Sequence, residues 1–490
     1  MRCSFLRHLL VWSLAFLAWG VPPVSGASAQ RPPNVILILT DNHGDWTIGP
    51  YGNQDIKTPH LDRLATEGMR FAHAFANNPV CSPNRATLLT GLMPSQHGVH
   101  CFLRAGLPQM GDGAHCVLSE LATLPRILKS KGYACGLVGK WHLGGNLVPQ
   151  EGFTEEWVTM PHGATSTFFD AEVIENGGVR KEPTHLTTFW TSRAVKFIEA
   201  QKDKPFFLYL AYNGPYGLGP AQLKDSERVP HWNDYADKDL KSFPRRPMHP
   251  WQHDNKAYLN NPLCIRRYAA EVSTIDDGIG EITAKLRALG LEKDTVIIFT
   301  GDNGWSGGQN GLWGMGDHTR PLAAFDAQMR VPLLWWQPGR IPDGKVVASH
   351  VSHVDFFPTL LEHLGLKDNI PADAKLKLPG RSYAPMLRGE SMTDWSDVVY
   401  YEMENMRCVR TPTQKLVERL GDEVDELYNL ATDPGEEHNL ASSASSPDAA
   451  SRGSLQEKLD NFFNEHASAK YDLWHGGTSQ APALVYPPKK

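Results

Sequence analysis

The segment CSPNRATLLTG, residues 81–91, is the stretch from which the fold of this chain can be worked out. Ser82 is a favourable N-cap, and Pro83 suits the first helical position because it has no N–H group to leave unpaired. Gly91 is a good stop for the short helix that follows. Cys81 is expected just outside the helix N-terminus, where free amides favour an anion. A plain buried cysteine before a capped helix is the alternative.

Two continuous apolar runs, residues 34–41 and 295–301, predict strands that are buried on both faces, as in a parallel sheet. Each run leads into an acid–amide pair: Asp41 with Asn42, and Asp302 with Asn303. Sites in open α/β sheets gather at the carboxyl ends of the strands, and oxygen donors suit a hard divalent cation. One such pair alone would indicate a turn, but two on matching strands favour a metal site.

Strands and helices alternate along most of the chain. Further strands are predicted at 136–139, 206–212 and 331–336, and helices at 58–65, 121–131, 188–201 and 268–289. This alternation predicts an α/β fold with a mostly parallel central sheet and helices on both faces. Alternating stretches at 398–402, 407–410 and 415–418, followed by a helix at 455–466, predict a smaller C-terminal antiparallel sheet with a helix.

The N-terminus has the pattern of an export signal. Arg2 and Arg7 precede a short apolar segment, and small residues at 27–29 form a cleavage site, so residues 1–29 are predicted as a signal peptide. We therefore expect a secreted or periplasmic protein with no membrane attachment after cleavage; an uncleaved anchor is the alternative. Residues 371–470 are predicted as a C-terminal α+β subdomain and residues 471–490 as a flexible tail.

The composition is that of a soluble globular protein, with 41% hydrophobic and 21% charged residues. A net charge of −6 without any basic run argues against a nucleic-acid partner. There are seven cysteines, of which Cys3 leaves with the signal peptide. Cys101 and Cys116 flank a Gly-rich loop and are a candidate disulfide in an oxidising compartment.

Two motifs in order, CSPNRATLLTG at 81–91 and GYACGLVGKWHLG at 132–144, resemble the two signatures of the sulfatase family. The likeness ends near residue 440, where ELYNL and DPGEEHNL resemble the family's C-terminal signature. It implies an alkaline phosphatase-like fold, a catalytic domain at 33–370 and hydrolysis of a sulfuric ester. It also implies that a formylglycine-generating enzyme oxidises Cys81 to formylglycine and that one calcium ion is bound. The implied metal ligands are Asp41, Asn42, Asp302, Asn303 and the formylglycine made from Cys81.

The implied chemistry depends on an aldehyde hydrate, which offers two hydroxyl groups on one carbon. One oxygen, bound to the cation, attacks sulfur, and the other re-forms the carbonyl and expels sulfate. By the same resemblance, Arg85 holds the formylglycine, Lys140 bridges it to the sulfate, and His142 hydrogen-bonds the diol. The alternatives for the last two are an exposed loop lysine and a structural histidine.

Three site positions depart from the family pattern. Asn42 replaces the commoner aspartate, which keeps an oxygen donor but removes a charge and predicts weaker metal binding. Tyr216 stands where many relatives have a histidine that protonates the leaving group, and Met315 stands where they have a sulfate-binding lysine. We expect compensation, with Arg320 contacting the sulfate and His318 or Tyr216 assisting departure. The alternative is that His318 and Arg320 are ordinary polar loop residues.

The predicted function is hydrolysis of an organic sulfate ester, on a sulfated small molecule or glycan. Trp46, Trp305 and Trp313 are candidates to stack on sugar rings, although tryptophan is more often a core residue. A second prediction is phosphoester or phosphonate-ester hydrolysis on the same fold. A third is a catalytically weakened protein that binds sulfated glycans, which Met315 and Tyr216 motivate.

Overall fold

The computed structural model describes residues 1, 31–370, 378–421, 423–442 and 448–486. The predicted signal peptide, apart from Met1, and the first residues of the predicted C-terminal subdomain lie outside the described residues. The described residues from 33 onwards form one compact unit.

The strands are numbered in chain order. They are β1 Asn34–Asp41, β2 Met69–Phe75, β3 Ala134–Gly139, β4 Glu156–Thr159, β5 Ala171–Glu175, β6 Gly178–Glu182, β7 Phe206–Pro215, β8 Thr295–Gly301, β9 Ser306–Gly307, β10 Trp313–Gly314, β11 Arg330–Val331, β12 Leu333–Trp336, β13 Lys345–Ser352, β14 Val399–Met403, β15 Met406–Arg410, β16 Gln414–Arg419 and β17 Glu426–Asn429.

The α-helices are numbered in the same way. They are α1 Pro59–Thr66, α2 Cys81–Thr90, α3 Pro94–His97, α4 Leu124–Ser130, α5 Leu186–Ala200, α6 Pro262–Ala288, α7 Asp326–Met329, α8 His353–His363, α9 Ala384–Leu387 and α10 Asp448–His466.

The largest sheet has the strand order β11-β2-β12-β8-β1-β7-β3-β4-β5-β6, with β13 paired to β2. Its centre, from β8 to β4, is parallel. The apolar residues 35–39 of β1 are fully buried, because strands on both sides and layers on both faces cover them. The predicted α/β fold with a mostly parallel sheet is therefore confirmed.

The predicted strand at 331–336 differs from the structure. It is divided into β11 and β12, and β12 runs antiparallel to both β8 and β2. Pro332 lies between the two strands and has no N–H group for a ladder hydrogen bond, which accounts for the interruption.

The C-terminal sheet is confirmed: β14, β15, β16 and β17 form an antiparallel meander in that order. Helix α10 covers one face of it. Leu416 and Leu427 of the sheet pack there with Leu455, Leu459 and Phe463 of the helix. Successive side chains of a strand point to opposite faces, so the neighbours of Leu416 on β16, which are also buried, lie on the other face of the sheet.

The predicted N-cap of α2 is wrong, although the predicted stop is confirmed. The helix begins at Cys81, with Val80 as its N-cap and no side-chain cap bond. The Ser82 hydroxyl accepts a hydrogen bond from the Leu103 amide at 3.0 Å instead. Gly91 ends the helix with a φ of 73°, a left-handed conformation that glycine adopts without strain.

The C-terminal residues 471–486, which were predicted as part of a flexible tail, make hydrogen bonds to the rest of the unit. Gln480 donates to the main-chain oxygens of His97 at 2.7 Å and Val117 at 3.0 Å, and the Tyr486 amide donates to Glu404 at 2.6 Å. Cys101 and Cys116 are buried free thiols, so the candidate disulfide is wrong. Among the helices of the described residues, none combines the length and the apolarity needed to cross a bilayer.

Candidate active site

The carboxyl ends of β1, β8, β3 and β7 bring the predicted site residues to one edge of the sheet. Leu39 of β1 lies opposite Thr300 of β8, and the Asp302 amide donates to the Thr40 oxygen at 2.8 Å. On the other side, the Lys140 amide donates to the Ala211 oxygen at 2.7 Å. Parallel register therefore places two acid–amide pairs and the Lys140 segment side by side.

Arg85 ties the two carboxylates together. From the second turn of α2, it donates to Asp302 Oδ2 at 2.7 and 3.1 Å and to Asp41 Oδ2 at 3.0 Å. A further N–H group donates to the Lys140 main-chain oxygen at 2.6 Å. The Arg85 side chain and both carboxylates are fully buried, so the guanidinium is a fixed counter-charge.

Lys140 and Tyr216 lie beside this pair. The Lys140 ammonium forms a buried ion pair with Asp41 Oδ2 and lies 5.5 Å from the centre of the Tyr216 ring. The Tyr216 amide donates to the Asp41 main-chain oxygen at 3.3 Å. Burial, with the nearby Cys81 and Asp41, raises the pKa of Tyr216 well above its usual value, so its hydroxyl remains a proton donor.

Cys81 faces both members of the first acid–amide pair. Its Sγ atom lies 3.4 Å from Asp41 Oδ1 and 3.8 Å from Asn42 Oδ1. Burial, reinforced by the charge of Asp41, raises the pKa of the thiol well above its usual value. Without a bound cation, the thiol is therefore held in its neutral form, which is a poor nucleophile.

The donor set fits a hard cation. Asp41, Cys81 and Asp302 each offer a ligand atom, and these atoms lie within 4.8 Å of one another. Asn303 Oδ1 is buried and has no hydrogen-bond partner within the described part of the chain. Burial and the charge of Asp302 raise the pKa of Asp41 to about 6, and a bound cation would relieve both costs. Oxygen ligands of this kind suit calcium.

Main-chain groups hold the second acid–amide pair in place. Asp302 Oδ1 accepts from the amides of Asn42 at 3.1 Å and Asn303 at 2.8 Å. The Asn303 side-chain amide donates to Asn42 Oδ1 at 2.8 Å. Asn42 has a φ of 58°, which asparagine tolerates better than most residues.

His142 is a buried, neutral ring near enough to Lys140 for that charge to affect its pKa. Its Nε2 atom lies 2.8 Å from the Leu103 main-chain oxygen, which can only accept, so Nε2 carries the proton. Burial and the charge of Lys140 hold its pKa well below the usual value. Nδ1 is therefore a buried acceptor, and no described residue donates to it.

His318 and Arg320 make local contacts. His318 Nδ1 lies 3.0 Å from the side-chain amide nitrogen of Asn255 and 3.3 Å from the main-chain nitrogen of Met315. Arg320 donates to the main-chain oxygens of Asp317 at 2.6 Å and Thr319 at 2.7 Å. Met315 is buried in the core. Within the described residues, no hydrogen bond or ion pair joins His318 or Arg320 to Cys81, Asp41 or Lys140.

The sequence analysis did not identify two residues that shape the site. Asn84 Oδ1 accepts from the amides of Asn77 at 3.0 Å and Asn78 at 3.1 Å, which shapes the turn before Cys81. The presence of Asn84 within the segment at 81–91 is a sequence signal from which this role could have been predicted. The Tyr268 hydroxyl donates to the main-chain oxygen of Asn42 at 2.6 Å, and no local sequence pattern predicts that contact.

The three tryptophans are not a sugar platform. Trp305 and Trp313 are buried, with rings 6.0 Å apart. The half-buried Trp46 stacks on Tyr268 and donates from Nε1 to the Trp305 oxygen at 2.9 Å. These side chains form the packed wall behind the site.

Comparison with known proteins shows which family the sequence matches. The family model described as Sulfatase matches residues 33–366, and one described as N-sulphoglucosamine sulphohydrolase, C-terminal, matches residues 317–465. N-acetylgalactosamine-6-sulfatase from Canis lupus familiaris is 31% identical over 438 residues, which cover 82% of this chain and 73% of the relative.

Two solved structures share the fold. One is a protein in complex with its substrate D-glucosamine-2-N,6-O-disulfate, with a TM-score of 0.70, 21% identity and coverage of 89% of this chain and 98% of the other. The second is the phosphonate monoester hydrolase of Agrobacterium radiobacter, with a TM-score of 0.64, 22% identity and coverage of 93% and 100%. The first family model spans well over half of the sequence. The chain therefore belongs to the sulfatase family, whose members are sulfuric ester hydrolases.

Proposed function

We propose that this protein is an exported sulfatase that hydrolyses the sulfate ester of an amino sugar, through a formylglycine made from Cys81 and a bound calcium ion. The observation that carries the proposal is the convergence of Cys81 with Asp41, Asp302, Arg85 and Lys140 at one buried point. The relative named N-acetylgalactosamine-6-sulfatase supports the choice of an amino sugar.

Two groups supply chemistry that no ordinary side chain here offers. Formylglycine supplies, as its hydrate, two hydroxyl groups on one carbon for attack on sulfur and for release of sulfate. Calcium supplies positive charge next to the reacting oxygens. Asp41, Asn42, Asp302 and Asn303 would hold the calcium: oxygens of Asp41 and Asn42 face Cys81, an Asp302 oxygen lies within 4.8 Å of the Cys81 sulfur, and Asn303 Oδ1 is buried without a donor among the described residues.

Side chains of the protein itself would bind the sulfate and hold the reacting groups in position. The Lys140 ammonium, which pairs with Asp41, would neutralise a sulfate oxygen. Arg85 keeps both carboxylates fixed, so they do not have to reorganise during the reaction. His142 Nδ1 is an acceptor for a hydroxyl at position 81, because Nε2 is committed to the Leu103 oxygen.

The proposal has a direct test on the protein itself. We would produce it together with a formylglycine-generating enzyme and measure the mass of the peptide that contains Cys81. An aldehyde or its hydrate is expected, together with turnover of a small aryl sulfate. Cys81→Ala is the control and should show no turnover. Full turnover by protein whose Cys81 remains a thiol would overturn the formylglycine mechanism.

Calcium binding has a test that does not use activity. Excess calcium at about 100 times its dissociation constant should stabilise the folded state by about 2.7 kcal/mol relative to EDTA. The same comparison on Asp302→Asn should show a smaller difference, because a ligand charge is gone. Equal melting temperatures of the wild-type protein in calcium and in EDTA would contradict the metal site.

Tyr216 and Met315 stand where the family pattern has a histidine and a lysine. The general acid that protonates the leaving group and one sulfate-binding cation therefore still have to be assigned. We propose that Arg320 contacts the sulfate and that His318 or the protonated Tyr216 hydroxyl assists departure. His318→Ala and Arg320→Ala should each lower turnover of an aryl sulfate by about two powers of ten. Unchanged rates in both variants would remove the assignment and leave Tyr216→Phe as the variant to measure.

A second candidate is phosphonate or phosphate ester hydrolysis, which the structural similarity to a phosphonate monoester hydrolase motivates. Rates on matched aryl sulfate and aryl phosphonate esters separate the two activities. A higher kcat/KM on the phosphonate would replace the sulfatase proposal. Binding of a sulfated glycan by converted protein, with turnover of neither ester, would indicate a weakened enzyme that acts by binding.

Export is the remaining part of the proposal. Sequencing of the mature N-terminus of protein recovered outside the cytoplasm is expected to begin near Gln30. A mature protein that retains residues 1–29 would contradict signal cleavage.

A further inference from the structure

The C-terminal sheet holds the main chain just after the site loop, which we define as residues 313–320. The Lys415 ammonium on β16 donates to the Ala324 oxygen, and Arg419 donates to the Leu322 oxygen at 2.6 Å. Glu436, which follows β17, accepts from the Asp326 amide at 2.6 Å. Side chains of the C-terminal region thus hold three main-chain groups of residues 322–326.

A short series of hydrogen bonds continues from this segment to Cys81. The Ala323 amide donates to the Gly316 oxygen at 3.3 Å, and the Gly316 amide donates to the Pro79 oxygen at 3.2 Å. Pro79 lies two residues before Cys81. Gly316 has no spare room: a Cβ atom there would lie 2.2 Å from the Ala323 oxygen and 2.5 Å from Pro79 Cγ. We therefore expect a shift of residues 322–326 to displace the site loop relative to the Cys81 turn.

The side chains that hold this segment form a buried charged cluster of Lys415, Glu436, Asp326 and Arg410. Asp326 accepts from Arg410 at 2.8 Å and lies 3.3 Å from the Lys415 ammonium, which also pairs with Glu436. Burial alone would raise the pKa of Asp326, but the charges of Lys415 and Arg410 outweigh it and lower the pKa. Asp326 therefore stays ionised, whereas burial, reinforced by the charge of Asp326, raises the pKa of Glu436 to about 7. Removing Lys415 takes one of two cations from Asp326 and the ammonium partner from Glu436.

We propose that Lys415 is a positioning residue for substrate binding, because it fixes the site loop against the turn that carries Cys81. The proposal rests on the sulfatase function proposed above only for its kinetic readout. The loop carries Met315, His318 and Arg320, the positions at which this chain departs from the family pattern. Lys415 itself acts through main-chain groups and touches none of the reacting atoms.

The kinetic test uses the converted, calcium-loaded protein with para-nitrophenyl sulfate as substrate. It compares the wild-type protein with Lys415→Met, Lys415→Arg and the control Leu416→Ala. Lys415→Met should raise KM by about tenfold, with the formylglycine content of position 81 unchanged, because a small misplacement of the loop weakens sulfate binding. Lys415→Arg keeps the charge and should recover most of the affinity. An unchanged KM in folded Lys415→Met overturns the proposal.

Leu416→Ala is the matched control, because Leu416 is the next residue of β16 and packs instead against α10. It should lower the melting temperature without raising KM. A rise in KM equal to that of Lys415→Met would show that any damage to the C-terminal sheet has the same effect, and would also overturn the proposal. If Lys415→Met does not fold, Glu436→Gln replaces it, with a smaller rise in KM expected and an unchanged KM counting against the proposal.

A readout that does not require activity separates this proposal from the proposed function. Amide hydrogen exchange of the peptide that spans the site loop should be at least about tenfold faster in Lys415→Met than in the wild-type protein, since the Gly316 hydrogen bond opens more often. Leu416→Ala should leave that peptide unchanged. Equal protection in all three proteins would overturn the positioning role even if the enzyme is fully active, whereas faster exchange in an inactive protein would count only against the proposed function.

Discussion

Arg85 donates to the carboxylates of both Asp41 and Asp302, and the three side chains have no exposed surface. Two carboxylates in one buried place repel each other and are poorly solvated, so each depends on this guanidinium. Lys140 compensates Asp41 from another direction, but the structure shows no ion pair between Lys140 and Asp302. Arg85 thus pairs with both site carboxylates, whereas Lys140 pairs with Asp41.

Arg85→Met is expected to lower the free energy of unfolding by about 3–5 kcal/mol in EDTA, because it leaves buried carboxylates without their partner. Urea unfolding measures the change. Arg63→Met is the control: Arg63 pairs with Glu67 on the surface of α1, so its loss should cost about 1 kcal/mol or less. Similar losses in the two variants would show that Arg85 contributes no more than an exposed ion pair.

Helix α2 depends on its C-terminal glycine for two separate reasons. Gly91 has a φ of 73°, and a Cβ atom there would lie 2.9 Å from Phe357 Cβ in α8. Backbone strain and a steric clash would therefore act together. Since α2 carries both Cys81 and Arg85, a change at its end also affects the position of the site.

Gly91→Ala is expected to cost about 1–3 kcal/mol more than Gly132→Ala in urea unfolding. Gly132 is the matched control because it follows α4 with a φ of 85° but has no atom within 4 Å of the Cβ position. Its substitution should cost only the left-handed backbone strain, about 1 kcal/mol. Equal losses would mean that Phe357 moves aside without cost.

The whole molecule buries several histidines in neutral form, and this makes its stability depend on pH. Burial and the charge of Arg410 lower the pKa of His350 to about 3, and burial lowers that of His353 and of His363 to about 4. In the unfolded chain each ring binds a proton near its usual pKa of about 6.5. As the pH falls below that value, the unfolded state takes up protons that the folded state does not, so stability falls.

His350→Gln should reduce this dependence, because glutamine does not titrate and can still accept the hydrogen bond from Arg410. Between about pH 6 and pH 5, the slope of unfolding free energy against pH should be smaller by about 1 kcal/mol per pH unit than in the wild-type protein. Urea unfolding at several pH values measures it. An unchanged slope would show that His350 is protonated equally in both states.

Much of the fold and of the site is determined by local sequence. The apolar runs of β1 and β8, the glycine after α2 and the alternating C-terminal strands each follow from periodicity or turn chemistry within about ten residues. The parallel arrangement then places the ends of neighbouring strands at one edge, so Asp41 and Asp302 were predicted to meet. Lys140 and His142 were likewise placed at the end of β3.

Tertiary structure alone decided the rest, because the deciding partners are distant in sequence. Ser82 loses its capping role to the amide of Leu103, and Trp305 and Trp313 enter the core. The C-terminal sheet meets the turn before Cys81 directly, because Asn77 and Asn78 donate to the main-chain oxygens of Tyr400 and Glu402, more than three hundred residues later, without any local signal. Propensity and motif describe what a segment can do on its own, whereas burial and long-range hydrogen bonds select which of its groups are used.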